Sequence, residues 1–517
     1  MQTLQELTYI VTKNKLSAIE LLGVTPKQKP TKADAFYEAI LANQFEDDNA
    51  AASHFYESDA KNPSYQKLKR GLKKRLINSL FFIDINKPSY TERQKAYYQC
   101  YKEWAAVKIL LGKNARLSGI EIALNLIKRA KKFEFTELVM DIARILRLHY
   151  GTREGDLKRY EQYNELFKQY EQIWLEENRV EELYSELTIR FVNNKATKKA
   201  LNKKALEYYA QVEPVMQKSD SYRIHLCGNL IRLMIYTTVN DYKNTIELCQ
   251  EAIAFFEAKP YYASVPLQIW YYQIMVCCIQ LRDYPLGQQA ADKCLSMIEE
   301  GAFNWFKFKE LNLMLAMHTK QYQKAYEIFG EVIHHGRFRF LPAAIKETWK
   351  IFSAYIHYLI YLNKINPAEG DEYFNKFRLG RFLNEVPIFS KDKKGMNIPV
   401  LIIQILFMIL QKKYDTAIDR IESIEKYCSR YLKKGDTYRS NCLIKLLLLI
   451  PQCSFHKTAV MRKSKKYLKK LQEVPLEVAN QTHEIEIIPF EDLWEMGLST
   501  LENSFATLRS RDRSSVA

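Results

Sequence analysis

From about residue 94 onward, apolar residues recur at helical spacing in block after block of 14 to 22 residues, separated by short polar breaks. Blocks of this kind run from Ala96 to Leu111, Leu117 to Ala130, Thr136 to His149, Leu157 to Trp174 and Ile224 to Thr237. Others follow at Pro266 to Leu281, Trp305 to Met317, Ala344 to Leu362, Pro399 to Leu410 and Cys442 to Leu449. No stretch between them alternates with period two for long enough to predict a strand, so the predicted class is all-α. The first 90 residues read as a separate helical unit, with helices at Leu4 to Leu22, Ala33 to Leu41, Ala50 to Tyr56 and Tyr65 to Phe82.

Four of the breaks share a pattern. They read Asn240-Asp241-Tyr242, Arg282-Asp283-Tyr284, Lys320-Gln321-Tyr322 and Lys412-Lys413-Tyr414. Three residues after each Tyr stands a small side chain: Thr245, Gly287, Ala325 or Ala417. Seven residues on come Cys249, Ala291, Phe329 and Ile421, and ten on come Ala252, Cys294, Val332 and Ile424. Offsets of 3, 7 and 10 share one helix face, and a small residue there lets two helix backbones approach closely. Spacings between the tyrosines are 42 (242 to 284), 38 (284 to 322) and 92 (322 to 414), the last leaving room for two repeats with an insertion. Phe133, with Thr136, Met140 and Ala143, reads as an earlier copy.

A period of roughly 34 to 47 residues is that of two-helix repeats. The chain resembles the tetratricopeptide repeat (TPR) family at these positions, most closely from Tyr322 through Ala325 and Phe329 to Ile333. The first-helix half is degenerate: before Tyr284 the positions of the family's Trp, Leu, Gly and Tyr hold Tyr271, Ile274, Met275 and Cys278. The resemblance implies an α-solenoid of antiparallel helix pairs that binds proteins or peptides in a groove. The expected layout is an N-terminal helical unit over 1–90, a solenoid over 91–362, an inserted loop and helix over 363–396, further solenoid helices over 397–475, and a C-terminal extension over 476–517 with a disordered tail.

Composition agrees with that layout. Only 16 Gly and 15 Pro occur in 517 residues, too few for the frequent turns of an all-β chain. Nine cysteines without a C-x-x-C pair, and an N-terminus without a basic and apolar leader, predict reduced thiols and a cytoplasmic protein. The most apolar run, Ile398 to Leu410, is shorter than the roughly 20 residues of a membrane span.

Chemical motifs are absent where they would be needed. No G-x-x-x-x-G-K-[ST] loop exists, and His483-Glu484 lacks a second His because Ile487 stands in its place. The adjacent rings of His334 and His335 diverge around a helix, and Glu177, Glu181 and Glu182 read as solvated pairs on a charged helix. No catalytic, cofactor or metal residues are therefore predicted.

Basic charge is the concentrated signal, within a net charge of +17. Residues 61 to 75 hold seven cations and no acid, and Lys67, Arg70 and Lys74 fall opposite the apolar stripe of their helix. A second run, Arg462 to Lys470, offers Lys463, Lys466 and Lys470, and a third holds Lys195, Lys198, Lys199, Lys203 and Lys204. These runs suit an acidic protein or peptide. The expectation is thus a non-enzymatic scaffold using a TPR-like groove. The alternative is a nucleic-acid-binding regulator with a basic N-terminal module and a TPR-like sensor body, since Lys and Arg side chains on one helix face also suit phosphates.

Overall fold

The computed structural model describes residues 31–86, 90–112, 115–192, 197–368, 397–431, 438–476 and 485–504. The expected helix at Leu4 to Leu22, most of the 363–396 insertion and the tail beyond 504 lie outside these residues, as does Lys195. Among the described residues the fold is all-α, a solenoid-like succession of helix pairs without strands.

The chain divides into two compact units, one of residues up to Trp174 with Pro260–Tyr262, the other of Leu175–Lys259 with the residues from Ala263 on. In the first unit, α1 (Lys32–Leu41), α2 (Asp48–Tyr56) and α3 (Pro63–Leu80) bury Phe36, Ala51, Ala52, Tyr65, Leu72 and Leu76 together. Thr31 and Asp34 cap α1 reciprocally, and Asn62 caps α3 with Pro63 at its first position. There follow α4 (Glu92–Gly112), α5 (Arg116–Lys132), α6 (Thr136–His149) and the start of α7 (Leu157–Val192).

The second unit takes the rest of α7 and continues with α8 (Lys198–Met216), α9 (Tyr222–Thr237), α10 (Tyr242–Glu257), α11 (Ser264–Leu281) and α12 (Tyr284–Leu295). Then come α13 (Phe303–His318), α14 (Tyr322–Ile333), α15 (Ala343–Tyr361), α16 (Asn397–Leu410) and α17 (Tyr414–Tyr431). The last helices are α18 (Tyr438–Gln452), α19 (Lys457–Glu473) and α20 (Phe490–Ser499). From α8 to α15 each helix packs on the next, as do those from α16 to α19, and α11 also packs on α13. Contact between every other helix is what stacking of helix pairs requires.

The repeated turn has a common backbone. Asn240, Arg282, Lys320, Asn363, Lys412 and Ser454 all adopt a left-handed conformation, with φ between 47° and 62°. In each turn the following N–H bonds back to the carbonyl five residues earlier, as from Asp241 to Tyr236, Asp283 to Cys278 and Gln321 to Ala316. This is the helix-terminating bond pattern that usually recruits glycine, here made by Asn, Arg, Lys and Ser. Their spacings are 42, 38, 43, 49 and 42 residues, so Asn363 supplies the turn missing from the interval between Tyr322 and Tyr414.

Two residues after the left-handed position, Tyr242, Tyr284, Tyr322 and Tyr414 open α10, α12, α14 and α17. All twelve residues at offsets 3, 7 and 10 are buried, including Ala325 and Ala417. At Gly287 the approach is close: a Cβ there would stand 2.6 Å from Leu315 Cδ2 and 2.9 Å from Cys278 Cβ. The earlier copy differs in register. Glu134 is its left-handed residue, so Thr136 takes the Tyr position and Val139, Ala143 and Leu146 are the buried set, three residues later than the pattern around Phe133 suggests. Phe133 is instead the last residue before that turn.

Candidate functional site

The basic helices are held differently. In α3, Tyr65, Leu72 and Leu76 are buried, while Lys67, Arg70, Lys73, Lys74 and Arg75 are exposed. Two cations of this run are used internally: Lys69 Nζ reaches Asp48 at 2.7 Å and Arg75 reaches Asp34 at 3.2 Å, tying α3 to α2 and α1. Burial opposes ionisation of Asp48, but hydrogen bonds from Lys69 and Tyr65 hold its carboxyl down to about 2. Lys67, Arg70 and Lys74 form no ion pair among the described residues and point away from the core.

In α19, Val460, Ser464 and Leu471 face inward against α18 and α20. The opposite side presents Arg462, Lys463, Lys465, Lys466, Lys469 and Lys470, all exposed and none ion-paired among the described residues. Glu473 is the helix's one acid. These six charges span nine residues, roughly 12 Å at about 1.5 Å per residue. Like charges three or four positions apart destabilise a helix by roughly 0.2–0.5 kcal/mol per pair, and six such pairs occur here, from 462–465 to 466–470. An anion bound on this face would relieve that repulsion. Lys445 of α18 is also exposed, 5.8 Å from the ring of Tyr467. Of the third run, Lys204 lies 4.9 Å over the Tyr208 ring of its own helix.

The repeat surface has two parts. Between α10 and α12 runs a groove of about 690 Å³, with Tyr271 and Ile274 of α11 on its floor and Gln250, Asp292 and Lys293 on its walls. Farther along, the chain's own C-terminal segment is packed onto the repeats. Ile485, Ile487, Ile488, Phe490, Leu493 and Trp494 are buried, and α20 packs on α16, α18 and α19. Three turn cations hold acids of this segment: Arg282 to Glu491 at 3.6 Å, Lys320 to Asp492 at 2.8 Å and Lys412 to Glu502 at 2.6 Å.

Arg439 anchors the same segment from within the core. It is 0% exposed, and its guanidinium meets the Glu486 carboxylate at 2.7 and 2.9 Å and that of Glu491 at 2.9 and 2.7 Å. It also donates to the carbonyls of Leu471 and Val474 at 3.1 and 2.8 Å. Burial opposes ionisation of Glu491, yet Arg439 keeps its carboxyl below the usual Glu range. Sequence reasoning missed this cluster. Its signal is a lone Arg entering an apolar helix, with acids some fifty residues away.

Glu177 also departs from expectation. It is buried, and its carboxylate accepts the Ser221 hydroxyl at 2.5 Å, while Glu181 and Glu182 remain solvated. Among the described residues no group of three His, Cys, Asp or Glu is placed to hold a metal ion, and no helix is long and apolar enough to cross a membrane. Burial pushes the thiols of Cys249 and Cys278 up to about 12, as fits packing residues. No protein-family model, no curated protein and no solved structure matches the chain.

Proposed function

We propose that the protein is a non-enzymatic interaction scaffold whose TPR-like body presents the cationic face of α19 to an acidic segment of a partner protein. The observation that carries this reading is the row of six exposed cations without ion-pair partners among the described residues, at the α19 positions that include Lys463, Lys466 and Lys470. Elsewhere in the same unit comparable cations are consumed by the chain's own acids, as Arg282, Lys320 and Lys412 are. Those pairs illustrate the mode of contact: carboxylates laid against cations fixed on helices and turns.

The TPR character is supported by the turn spacing and the small residue three positions after each Tyr. A cytoplasmic setting is supported by eight described cysteines, all buried and unpaired. A fluorescent oligoglutamate peptide should bind the full chain at low salt. Replacing the six α19 cations by Gln should abolish that binding with no change in the circular dichroism spectrum. Equal binding by this variant, or none by the native chain, would sink the reading. The second reading, nucleic-acid recognition through the N-terminal module, is favoured by a different surface.

A further inference from the structure

Three large aromatic side chains of the first unit are exposed, Phe81 at the end of the basic helix at 50%, and Tyr97 at 45% and Tyr98 at 50% on α4. Exposed rings at this density call for an explanation, because an isolated one is ordinary but a cluster marks a contact surface. On α4, Ala96, Cys100, Trp104 and Val107 are buried. Lys95, Tyr98 and Lys102, at i, i+3 and i+7, lie on the opposite side.

This side of α4 sits beside the end of α3. Lys102 Nζ is 5.7 Å from the centroid of the Phe82 ring, and Lys95 Nζ is 3.5 Å from the Asn86 carbonyl. Along α3, Lys67, Arg70 and Lys74 lead toward Phe81 on the exposed face, so cations and open rings follow one another across two helices. Tyr98 meets Tyr90 at 85° and Tyr97 at 82°, ring edge to ring face, and neither neighbour stacks parallel on it.

We infer that α3 and α4 together form a binding surface for single-stranded nucleic acid, in which Lys67, Arg70, Lys74 and Lys102 contact phosphates and Tyr98 stacks on an unpaired base. The combination of a cationic track with exposed rings is what sequence-tolerant single-strand binding uses. A duplex hides the base faces that Tyr98 would need. An acidic peptide suits this surface less well, since the negative face of an aromatic ring repels carboxylates. A lipid surface would need an exposed apolar stripe on α3, and that stripe is the one buried with Phe36 and Tyr65. The α19 face differs in lacking an exposed ring: its Tyr467 is only half exposed and lies beneath Lys445.

The test uses the full chain and a fluorescent oligodeoxythymidine of about 15 nucleotides, a length within the range such proteins cover. Binding at low salt is expected, with each cation contributing about 0.7 to the slope of log affinity against log salt for a single strand. Changing Lys67, Arg70 and Lys74 together to Gln should lower that slope by about two. Tyr98→Ala should weaken binding roughly tenfold or more at unchanged slope, and Tyr98→Phe should restore it, which a merely structural role of the hydroxyl or helix would not predict. In the six-Gln variant of α19, which lacks that second cationic face, Tyr98→Ala should weaken oligonucleotide binding by the same factor as in the native chain. Failure of the native chain to bind, equal or tighter binding of a duplex of the same length, indifference to Tyr98→Ala, or loss of binding in the α19 variant alone would each overturn the inference. Oligoglutamate binding reports on α19 independently, so the two proposals fail separately.

Discussion

Replacing Arg439 by Ala removes the guanidinium that meets Glu486, whose side chain is 0% exposed. It also removes a partner of Glu491, leaving Arg282 at 3.6 Å. Breaking one side of a buried ion pair typically costs about 3–5 kcal/mol, because the remaining charge keeps its desolvation penalty. The cost falls on residues 485–501, since both acids belong to that segment. Hydrogen exchange is the direct assay: at about 1.4 kcal/mol per factor of ten, amides of Ile487 to Leu493 should exchange about 100- to 4,000-fold faster in the variant. Removing both charges with Arg439→Met and Glu486→Gln should recover at least half of the loss. Gln retains an acceptor for the Phe490 N–H, which now donates to Glu486 at 3.1 Å. Acceleration below tenfold, or a double variant no better than the single one, would refute the account of Arg439 as the anchor of the C-terminal segment.

Gly287→Ala should destabilise the second unit by about 1–3 kcal/mol in urea unfolding, because the new methyl group would stand 2.6 Å from Leu315 Cδ2 and the helices must separate to admit it. Asn363→Val, at φ 54°, should cost about 1–2 kcal/mol, whereas Asn363→Gly should stay within about 0.5 kcal/mol of the native chain; equal effects would remove the left-handed turn as the cause. In the first unit, the carboxyl of Asp48 is held down to about 2 from an ordinary value of 3.8, so its contribution is present above that ordinary value and is lost as pH falls through the folded one. With partly exposed side chains the contribution is about 1 kcal/mol. The stability difference between the native chain and Asp48→Asn should therefore shrink between pH 4 and 2, and a constant difference across that window would contradict the ion-pair account.

The helix positions and the repeat register were legible because both depend on local spacing. A face at offsets 3, 7 and 10 is a property of a dozen consecutive residues, and it placed twelve residues in the core of the second unit. The turn chemistry was harder to read, since the usual flag of a left-handed helix end is glycine and this chain uses Asn240, Arg282, Lys320, Asn363 and Lys412 instead. That choice explains how so many helix pairs coexist with 16 glycines. It also hid the turn at Asn363, which has no Tyr two residues later, and it shifted the first copy by three positions, because Phe133 resembles the motif's aromatic while Glu134 makes the turn.

Charge was legible only as density. In the run from Lys61 to Arg75 all cations look alike in the sequence, yet Lys69 and Arg75 are held by Asp48 and Asp34, 21 and 41 residues away. What separates a structural cation from an available one is the position of acids on other helices, and periodicity says nothing about those. The same reasoning assigns opposite roles to Arg439 and Lys466. Arg439 enters an apolar helix and finds two acids from a segment that folds onto it, so its charge is already matched. Lys466 sits among like charges on a solvent face and has no ion-pair partner among the described residues. The proposal of an acidic partner, and not merely an apolar one, rests on that electrostatic imbalance.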